Sequence, residues 1–363
     1  MYKLKLKNFL FICLSLFFCF LTICSVNFKK SNAETYYKQN IGESVVVMDA
    51  KTKRVVYSEN QNQLKFMAST TKILTALVII ENCDLSKEII VTDKSVGIEG
   101  SSIYLEIGEI LTVKDLLYGL MLRSGNDCAE TLALHCSGSI ENFAMLMNQT
   151  AKNLGALNSN FVNPHGLHDD NHYTTAYDLA LISCHAINNP IFKEIVSTKW
   201  VEIPFTTRNY NRKLKNKNKL LWNLEGATGI KTGYTKKAGR CLVSSCEKNG
   251  LEFVCVTLNC PPMFEKSKNL LVNAFENYKN VKLVDKNNFV GFVENLQNNQ
   301  LVGLYIKNDV ILGLNEQEKN CIKMEYEFPK TINKSLPKDS EIGIIKIFAS
   351  NNLIFTEKIY TII

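Results

Sequence analysis

The spacing of apolar residues changes in a fixed order along this chain, and that order limits the folds open to it. Two strand-like runs, "SVVVMDA" and "RVVYSEN", are joined by a turn at residues 51–53. Helical periodicity then dominates residues 70–188, and the strand pattern returns from residue 199, with Asn249-Gly250 as a hairpin turn. Strands, then helices, then strands predict an α+β fold in which helices pack on an antiparallel sheet. The segments predicted to be helical are about 70–82, 112–123, 127–136, 140–153, 175–188 and 263–278.

Beyond residue 280 the helical pattern disappears. The runs "GLYI", "CIKMEYEF", "IGIIKIFA" and "LIFTEKIYTI" are short, alternating and bounded by turn residues, which is typical of a small β-sandwich. We therefore expect a larger domain at residues 34–280 and a small all-β domain at residues 281–363.

The first 33 residues have the pattern of a secretory signal peptide. Lysines precede an uncharged run from Phe9 to Val26, and "SNA" at 31–33 supplies small residues for cleavage after Ala33. This apolar run is longer than usual for a signal peptide, so retention as an N-terminal membrane anchor is the alternative. In both cases the protein is expected to work outside the cytoplasmic membrane.

The formal charge of +7 does not indicate a nucleic-acid partner. Residues 1–33 hold five lysines and no acid, so the rest of the chain carries 37 basic residues against 35 acidic ones. Nine dispersed cysteines remain after residue 33, and this odd number does not fit a disulfide framework. No C-x-x-C pair occurs, which argues against a zinc ribbon, and neither a metal nor another cofactor is predicted.

A serine and a lysine three residues apart, Ser69 and Lys72, open the first apolar helical run. The same S-x-x-K spacing occurs at Ser245 and at Ser335, so the pattern alone has little specificity. On a helix these two side chains share one face, which brings the ammonium group within reach of the hydroxyl. Burial and positive neighbours would lower the pKa of such a lysine from its usual 10.4 or so and make it a base. The alternative is a helix-capping serine beside a surface lysine.

Two further stretches combine polar side chains with glycine. Ser124-Gly125-Asn126 interrupts two helical segments and presents a hydroxyl and a carboxamide, although a plain helix–helix turn is the alternative. Lys231-Thr232-Gly233 precedes the hairpin strands, where a lysine and a threonine could bind a carboxylate and glycine permits close approach. An extended peptide could pair with the edge of this strand.

In the order S-x-x-K, S-x-N, K-T-G, the three stretches resemble the signature of the penicillin-recognising serine enzymes. The chain is similar to the low-molecular-mass penicillin-binding proteins, which are serine-type D-alanyl-D-alanine carboxypeptidases. The resemblance covers about residues 38–280, and the tail looks like the small C-terminal domain of that family. It implies a β-lactamase/transpeptidase-like catalytic domain. The matching segments are "ASTTKILTA", "MLRSGNDCAETLA", "NPHGLHDDNHYTTAYDLA" and "GIKTGYTKKAGRCLVSS".

The resemblance also implies an activity and a role for each site residue. The reaction is removal of the terminal D-alanine from peptidoglycan stem peptides through an acyl-enzyme, with β-lactams as covalent inhibitors and no metal. The implied roles are nucleophile for Ser69, base for Lys72, proton relay for Ser124, substrate-amide binding for Asn126, carboxylate binding for Lys231 and Thr232 beside Gly233, and oxyanion binding by the backbone N–H groups of Ser69 and Tyr234.

Three other activities are weighed against this one. A class A β-lactamase would need an E-x-x-L-N segment between the second and third motifs, and residues 127–230 contain none. An inactive wall-binding protein is expected to have lost the serine or a lysine, whereas all three motifs are intact. Endopeptidase or transpeptidase action is the alternative within the family.

The remaining polar features are interpreted as structural. His165 and His172 lie in a polar loop, Cys128 is expected to pack, and the basic run 208–219 is expected to be a solvated loop, with contact to an anionic wall polymer as the alternative. Many relatives end in an amphipathic membrane-anchoring helix, whereas "TEKIYTII" is strand-like. Release to the wall, or tethering by the N-terminal segment, is therefore expected.

Overall fold

The N-terminal part of the protein is built on one antiparallel sheet. The computed structural model describes residues 42–362, and the predicted signal peptide at 1–33 lies outside them. The strands of this part are β1 (Ser44–Asp49), β2 (Val55–Glu59), β3 (Glu88–Ile90), β4 (Ile110–Thr112), β5 (Trp200–Ile203), β6 (Arg212–Lys215), β7 (Ala227–Thr235), β8 (Gly239–Lys248) and β9 (Leu251–Leu258). The five-stranded sheet has the spatial order β2-β1-β9-β8-β7, while β3-β4 and β5-β6 form separate pairs.

Helices cover both faces of this sheet. Val254 and Val256 of β9 belong to the main core together with the central helices, whereas Phe253 and Cys255 pack on the opposite face with Leu271. Burial on both faces explains why β8 and β9 are apolar along most of their length. The helices are α1 (Lys72–Asn82), α2 (Val113–Tyr118), α3 (Asn126–Ser137), α4 (Ile140–Asn153), α5 (Ala176–Ile187), α6 (Pro190–Ser197), α7 (Leu220–Asn223) and α8 (Met263–Asn277).

The predicted helices are all present, with small differences at their ends. The segment predicted at 112–123 is α2 followed by a π-helical turn at Gly119–Arg123, and Thr112 and Asp115 form a capping box at its start. The hairpin turn is confirmed, because Asn249 and Gly250 adopt positive φ angles of 53° and 78° between β8 and β9.

One sequence interpretation is wrong. Residues 208–219 are not simply a solvated loop, because Arg212–Lys215 forms β6 and pairs with β5. Arg212 is buried against the carboxylate of Glu109, which has no exposed surface, and stacks on Phe205 with its guanidinium carbon 3.4 Å from the ring centroid. Basic composition alone did not reveal that one of these cations belongs to the interior.

The C-terminal part is β-rich, and the α+β fold class is confirmed. Six strands form a sheet of order β14-β16-β17-β12-β11-β15, in which only the β11–β15 pair is parallel, and β10 pairs with β13. The two sheets share one core, to which Leu312 and Ile345 contribute. The elements are β10 (Lys279–Val284), β11 (Phe289–Asn295), β12 (Gln300–Tyr305), β13 (Val310–Leu314), α9 (Glu316–Lys319), β14 (Ile322–Glu327), β15 (Thr331–Ile332), β16 (Glu341–Ala349) and β17 (Asn352–Thr361).

The two parts meet at the turn between β1 and β2. Arg54 donates to the carbonyl oxygen of Gly313 at 2.5 Å, forms an ion pair with Glu318 at 3.0 Å and lies over the ring of Tyr278. The predicted boundary near residue 280 falls at the start of β10. None of the helices within residues 42–362 is long and apolar enough to cross a bilayer.

Candidate active site

The first motif lies at the start of the central helix. Ser69 is half-buried in a 3₁₀ turn, Ala68–Thr71, and α1 begins at Lys72, which is completely buried. Ala68 has a φ of 48°, so the chain enters the turn through a left-handed residue. The sequence expectation that the serine and lysine share the entrance of one apolar helix is met, although Ser69 occupies the turn before the α-helix.

Lys72 is held by three oxygen atoms. Its Nζ lies 3.2 Å from Ser69 Oγ and 2.7 Å from both Asn126 Oδ1 and the carbonyl oxygen of His165. Burial lowers the pKa of Lys72 well below its usual value, and the nearby cation of Lys231 lowers it further. The structure therefore places a buried lysine with a lowered pKa beside Ser69.

The second motif follows the π-helical turn. Ser124 adopts a φ of 67° after that turn, which sends the chain sharply into α3, and its side chain is 4% exposed. Within residues 42–362 its hydroxyl has no hydrogen-bond partner. Asn126 is buried and uses both ends of its amide inside the protein, because Nδ2 donates to the carbonyl oxygen of Glu99 at 2.5 Å while Oδ1 accepts from Lys72. Asn126 thus joins the second motif to Lys72 of the first.

Asp127, next in the chain, anchors the loop that faces this motif. Its carboxylate accepts hydrogen bonds from Ser102 Oγ at 2.5 Å and from the backbone N–H groups of Ile103 and Leu105 at 3.1 Å. Cys128 is fully buried against this turn, and a β-carbon at Gly125 would lie 2.9 Å from its sulfur, so Cys128 packs as expected. These contacts fix the second motif and its neighbouring loop as one unit.

The third motif lies on the edge strand β7. Lys231 is 2% exposed, its ammonium donates to the carbonyl oxygen of Thr232 at 2.9 Å, and burial lowers its pKa to about 7, with a further contribution from Lys217. Two residues on, a β-carbon at Gly233 would lie 3.1 Å from the backbone nitrogen of Ser69. A side chain here would push the turn that carries Ser69 away by a few tenths of an ångström, so glycine favours the close packing of this strand. The backbone of the following residue, Tyr234, is thereby carried next to Ser69.

Sequence reasoning missed Lys217. Its Nζ donates to Ser101 Oγ at 3.1 Å, and its positive charge lowers the pKa values of both Lys72 and Lys231. The buried side chain of Asn216 donates to the carbonyl oxygens of Val196 and Thr198, which fixes the backbone just before Lys217. Lys217 therefore adds a third, solvent-accessible cation to the site. The only sequence signal is the Asn-Lys-Asn pattern within a lysine-rich run, which composition cannot separate from its neighbours.

The two histidines belong to the segment that packs on the turn that carries Ser69. His165 Nδ1 accepts from the backbone N–H of Leu167 at 3.1 Å, which leaves its Nε2–H to donate to Glu130 at 3.0 Å. His172 likewise contacts Thr71 Oγ1 through Nε2 at 2.7 Å, and burial lowers its pKa to about 3. Neither ring contacts the Ser69 hydroxyl. Among residues 42–362, no group of three or more His, Cys, Asp or Glu side chains could hold a metal ion.

Comparison with known proteins identifies the family. The sequence model of the D-alanyl-D-alanine carboxypeptidases, peptidase family S11, matches residues 30–261. The chain belongs to this family. The C-terminal domain of penicillin-binding protein 5 matches residues 278–362, which accounts for the β-rich part as well. The family resemblance inferred from the three motifs is therefore confirmed.

Individual members of the family match most of the chain. D-alanyl-D-alanine carboxypeptidase DacF of Bacillus subtilis is 30% identical over 329 residues, which cover 87% of this chain and 84% of the relative. D-alanyl-D-alanine carboxypeptidase DacA of Haemophilus influenzae is 30% identical over 348 residues, with the same coverage. The crystal structure of penicillin-binding protein 5 from Haemophilus influenzae matches with a TM-score of 0.73 and 27% identity, over 88% of this chain and 96% of that one.

Proposed function

We propose that this member of the D-alanyl-D-alanine carboxypeptidase family removes the C-terminal D-alanine from peptidoglycan stem peptides by way of an acyl-enzyme on Ser69. The observation that carries the proposal is the buried Lys72, held 3.2 Å from Ser69 Oγ within reach of a second buried lysine, Lys231. A base beside a nucleophile and a cation for a terminal carboxylate are the two groups that such a reaction needs.

The contacts of Lys72 explain how it would act as the base. A neutral amine has two N–H bonds and one lone pair. The two acceptors at 2.7 Å, Asn126 Oδ1 and the carbonyl oxygen of His165, take both N–H bonds. The lone pair then faces Ser69 Oγ and can accept its proton as the oxygen attacks the peptide carbonyl.

Negative charge develops on the carbonyl oxygen during this attack. The backbone N–H groups of Ser69 and Tyr234 are the proposed donors, and the close packing of Gly233 on the nucleophile turn supports their proximity. Each such donor is typically worth about 10²–10³ in rate, or roughly 2.7–4 kcal/mol. D-alanine leaves with a proton relayed by Ser124, and water then hydrolyses the ester by the reverse route.

Binding of the terminal carboxylate is assigned to Lys231 and Thr232, with Lys217 as an additional cation. A buried lysine with a pKa of about 7 and no acidic partner among the described residues gains most when a carboxylate arrives. The substrate is therefore expected to need a free C-terminal carboxylate. A β-lactam offers a strained amide next to a carboxylate and would acylate Ser69 in the same way. Asn126 would donate from Nδ2 to the substrate amide, which requires the carbonyl oxygen of Glu99 to give way, while Oδ1 keeps its contact with Lys72.

The remaining features of the proposal concern where the enzyme works. Peptidoglycan lies outside the cytoplasmic membrane, so the substrate agrees with the signal peptide expected at residues 1–33. Cleavage after Ala33 would release the enzyme to the wall, and retention of the segment would tether it there.

Release of D-alanine from a pentapeptide by the purified protein tests this function. Ser69→Ala should abolish both release and covalent penicillin labelling, because it removes the attacking oxygen. Ser335→Ala is the matched control, since it changes the serine of another S-x-x-K sequence outside the site. Labelling that survives in Ser69→Ala would disprove the assignment of the nucleophile. Absence of D-alanine release from the folded wild type would disprove the carboxypeptidase activity.

A further inference from the structure

A second cleft opens next to the proposed active site. It has a volume of about 750 Å³, and two of its lining residues, Ser102 and Arg123, adjoin the site along the chain. Arg123 directly precedes Ser124, the proposed proton donor to the leaving amine. Ser102 directly follows Ser101, whose hydroxyl accepts from Lys217. The cleft therefore borders the segments that carry Ser124 and the partner of Lys217, the groups assigned to the leaving amine and the terminal carboxylate.

The lining of this leaving-side cleft is predominantly cationic. Its charged residues are four cations and one acid. Arg123 is half-buried, and within residues 42–362 its side chain makes neither a hydrogen bond nor an ion pair; burial lowers the pKa of Lys217, and the charge of Arg123 lowers it further. The other three cations have carboxylate partners: Arg208 with Glu106, Arg212 with Glu109, and Lys213 with Glu202. A half-buried guanidinium with no counter-ion is a ready partner for an anion.

One aromatic residue that lines the same cleft has an unfavourable, left-handed backbone conformation. Tyr104 is 80% exposed and has a φ of 61°, which is unfavourable for an aromatic residue. Its backbone is fixed on both sides, because its N–H donates to Ser102 Oγ at 2.7 Å and its carbonyl oxygen accepts from Arg212 at 2.9 Å. Tyr210, 61% exposed, also lines the cleft. Exposed tyrosines offer a large apolar contact area, and the fixed backbone of Tyr104 lowers the conformational freedom that it would lose on binding.

We infer that this cleft binds the leaving group of the substrate when that group is larger than D-alanine and carries a second anionic group. The inference rests on the proposed function, because it assigns the leaving side from the role of Ser124. In the reaction Ser69 Oγ bonds to the carbonyl carbon, the C–N bond breaks, and the amine leaves with one proton. Water then hydrolyses the ester, so no other reactant is needed. Arg123 pairs with the distal anion, and Tyr104 covers the connecting chain.

Two matched substrates test the inference. Both end in D-alanyl-D-lysine with a free terminal carboxylate, and the lysine Nε carries either a succinyl group, which is anionic, or an acetyl group, which is neutral. We expect the succinyl substrate to have a kcat/KM about tenfold higher, the usual size of one charge-assisted hydrogen bond. Added salt should reduce this ratio.

Variants locate the effect in the cleft. Arg123→Gln should bring the succinyl-to-acetyl ratio to about one, Arg123→Lys should retain most of the ratio, and Lys323→Gln, an exposed change in the C-terminal sheet, should leave it unaltered. Tyr104→Asn suits the left-handed backbone and should lower kcat/KM for both extended substrates relative to a D-alanine-terminated one. Penicillin labelling of each variant shows that it is folded.

Failure of this inference differs from failure of the proposed function. D-alanine release together with a succinyl-to-acetyl ratio near one in the wild type would overturn the leaving-side cleft alone. A ratio that survives in Arg123→Gln would also overturn it. Absence of D-alanine release from the folded protein would overturn the proposed function, and the inference with it.

Discussion

The pH dependence of the reaction should change in a specific way when Lys217 is replaced by methionine. Carboxylate binding requires a protonated Lys231, whose pKa lies at about 7 because burial, and then the charge of Lys217, oppose its protonation. In the wild type, kcat/KM should therefore fall about tenfold per pH unit above pH 7, which corresponds to about 1.36 kcal/mol per unit. Deprotonation of Lys72 should give the ascending limb, because burial and then the charge of Lys231 lower its pKa, and the two lysines titrate as a coupled pair.

Lys217→Met has three effects. It raises the pKa of Lys72, which moves the ascending limb to higher pH and lowers kcat/KM at pH 6. It removes a cation that attracts the substrate carboxylate, so kcat/KM should fall at pH 6, where Lys231 is protonated in both proteins. It also removes a repulsive neighbour, so the pKa of Lys231 rises and the descending limb moves to higher pH. The difference in kcat/KM between the wild type and Lys217→Met should therefore shrink as the pH rises. The kcat profile should lack the descending limb in both, because a bound carboxylate keeps Lys231 charged.

Steady-state release of D-alanine between pH 5 and 9.5 gives both profiles. Lys215→Met is the matched control, since it removes a nearby lysine whose ammonium lies over Trp200 and Trp222. Its descending limb should coincide with that of the wild type. If the descending limb of Lys217→Met coincides with that of the wild type, or lies at lower pH, the coupling between Lys217 and Lys231 is refuted.

Two further predictions concern the supports of the site. Glu109→Gln should destabilise the protein by about 3–5 kcal/mol in urea unfolding, because it leaves Arg212 buried without its counter-ion, whereas Glu202→Gln, in an exposed pair, should cost less than about 1 kcal/mol. Equal losses of unfolding free energy in the two variants would contradict this prediction. Glu130→Ala should slow acylation by penicillin about tenfold, since His165, whose carbonyl oxygen holds the catalytic lysine, loses a buried hydrogen bond. Glu130→Gln keeps an acceptor and should be close to the wild type, and a Gln variant as slow as the Ala variant would argue against this positioning role.

The three motifs could be predicted from the sequence because each depends on local spacing. Ser69 and Lys72 share a helical face in any helix, and Gly233 follows a lysine and a threonine on one strand. The sequence did not show which backbone groups would contact these side chains. The carbonyl oxygen of His165 is one of the three oxygen atoms that hold Lys72, and a backbone oxygen has no residue-specific signal.

Short elements and buried charges were harder to predict. Helix α6 has a readable start, since Asn189 caps its first turn and Pro190 occupies the first helical position, but its eight residues give little periodicity. Arg212 resembles the surrounding basic residues in sequence, and only its partner Glu109, 103 positions away, makes it part of the interior. Long-range pairs of this kind depend on the tertiary fold, so one sequence without relatives cannot reveal them.

Burying two lysines in one site costs free energy, because their charged forms lose hydration and repel each other. The surroundings of each lysine indicate what it contributes to the reaction. Burial lowers the pKa of both lysines, the charge of Lys217 lowers both further, and Lys72 and Lys231 repel each other when both are charged. Loss of one proton from the pair relieves this repulsion, and loss from Lys72 leaves a neutral amine beside Ser69 and a cation at Lys231. A substrate carboxylate then stabilises that cation. The repulsion between the lysines thus favours a state in which one lysine is a neutral base and the other is a cation that binds the carboxylate. A substrate without the carboxylate leaves Lys231 free to lose its own proton, which is why recognition of a free C-terminus and activation of the serine should depend on each other.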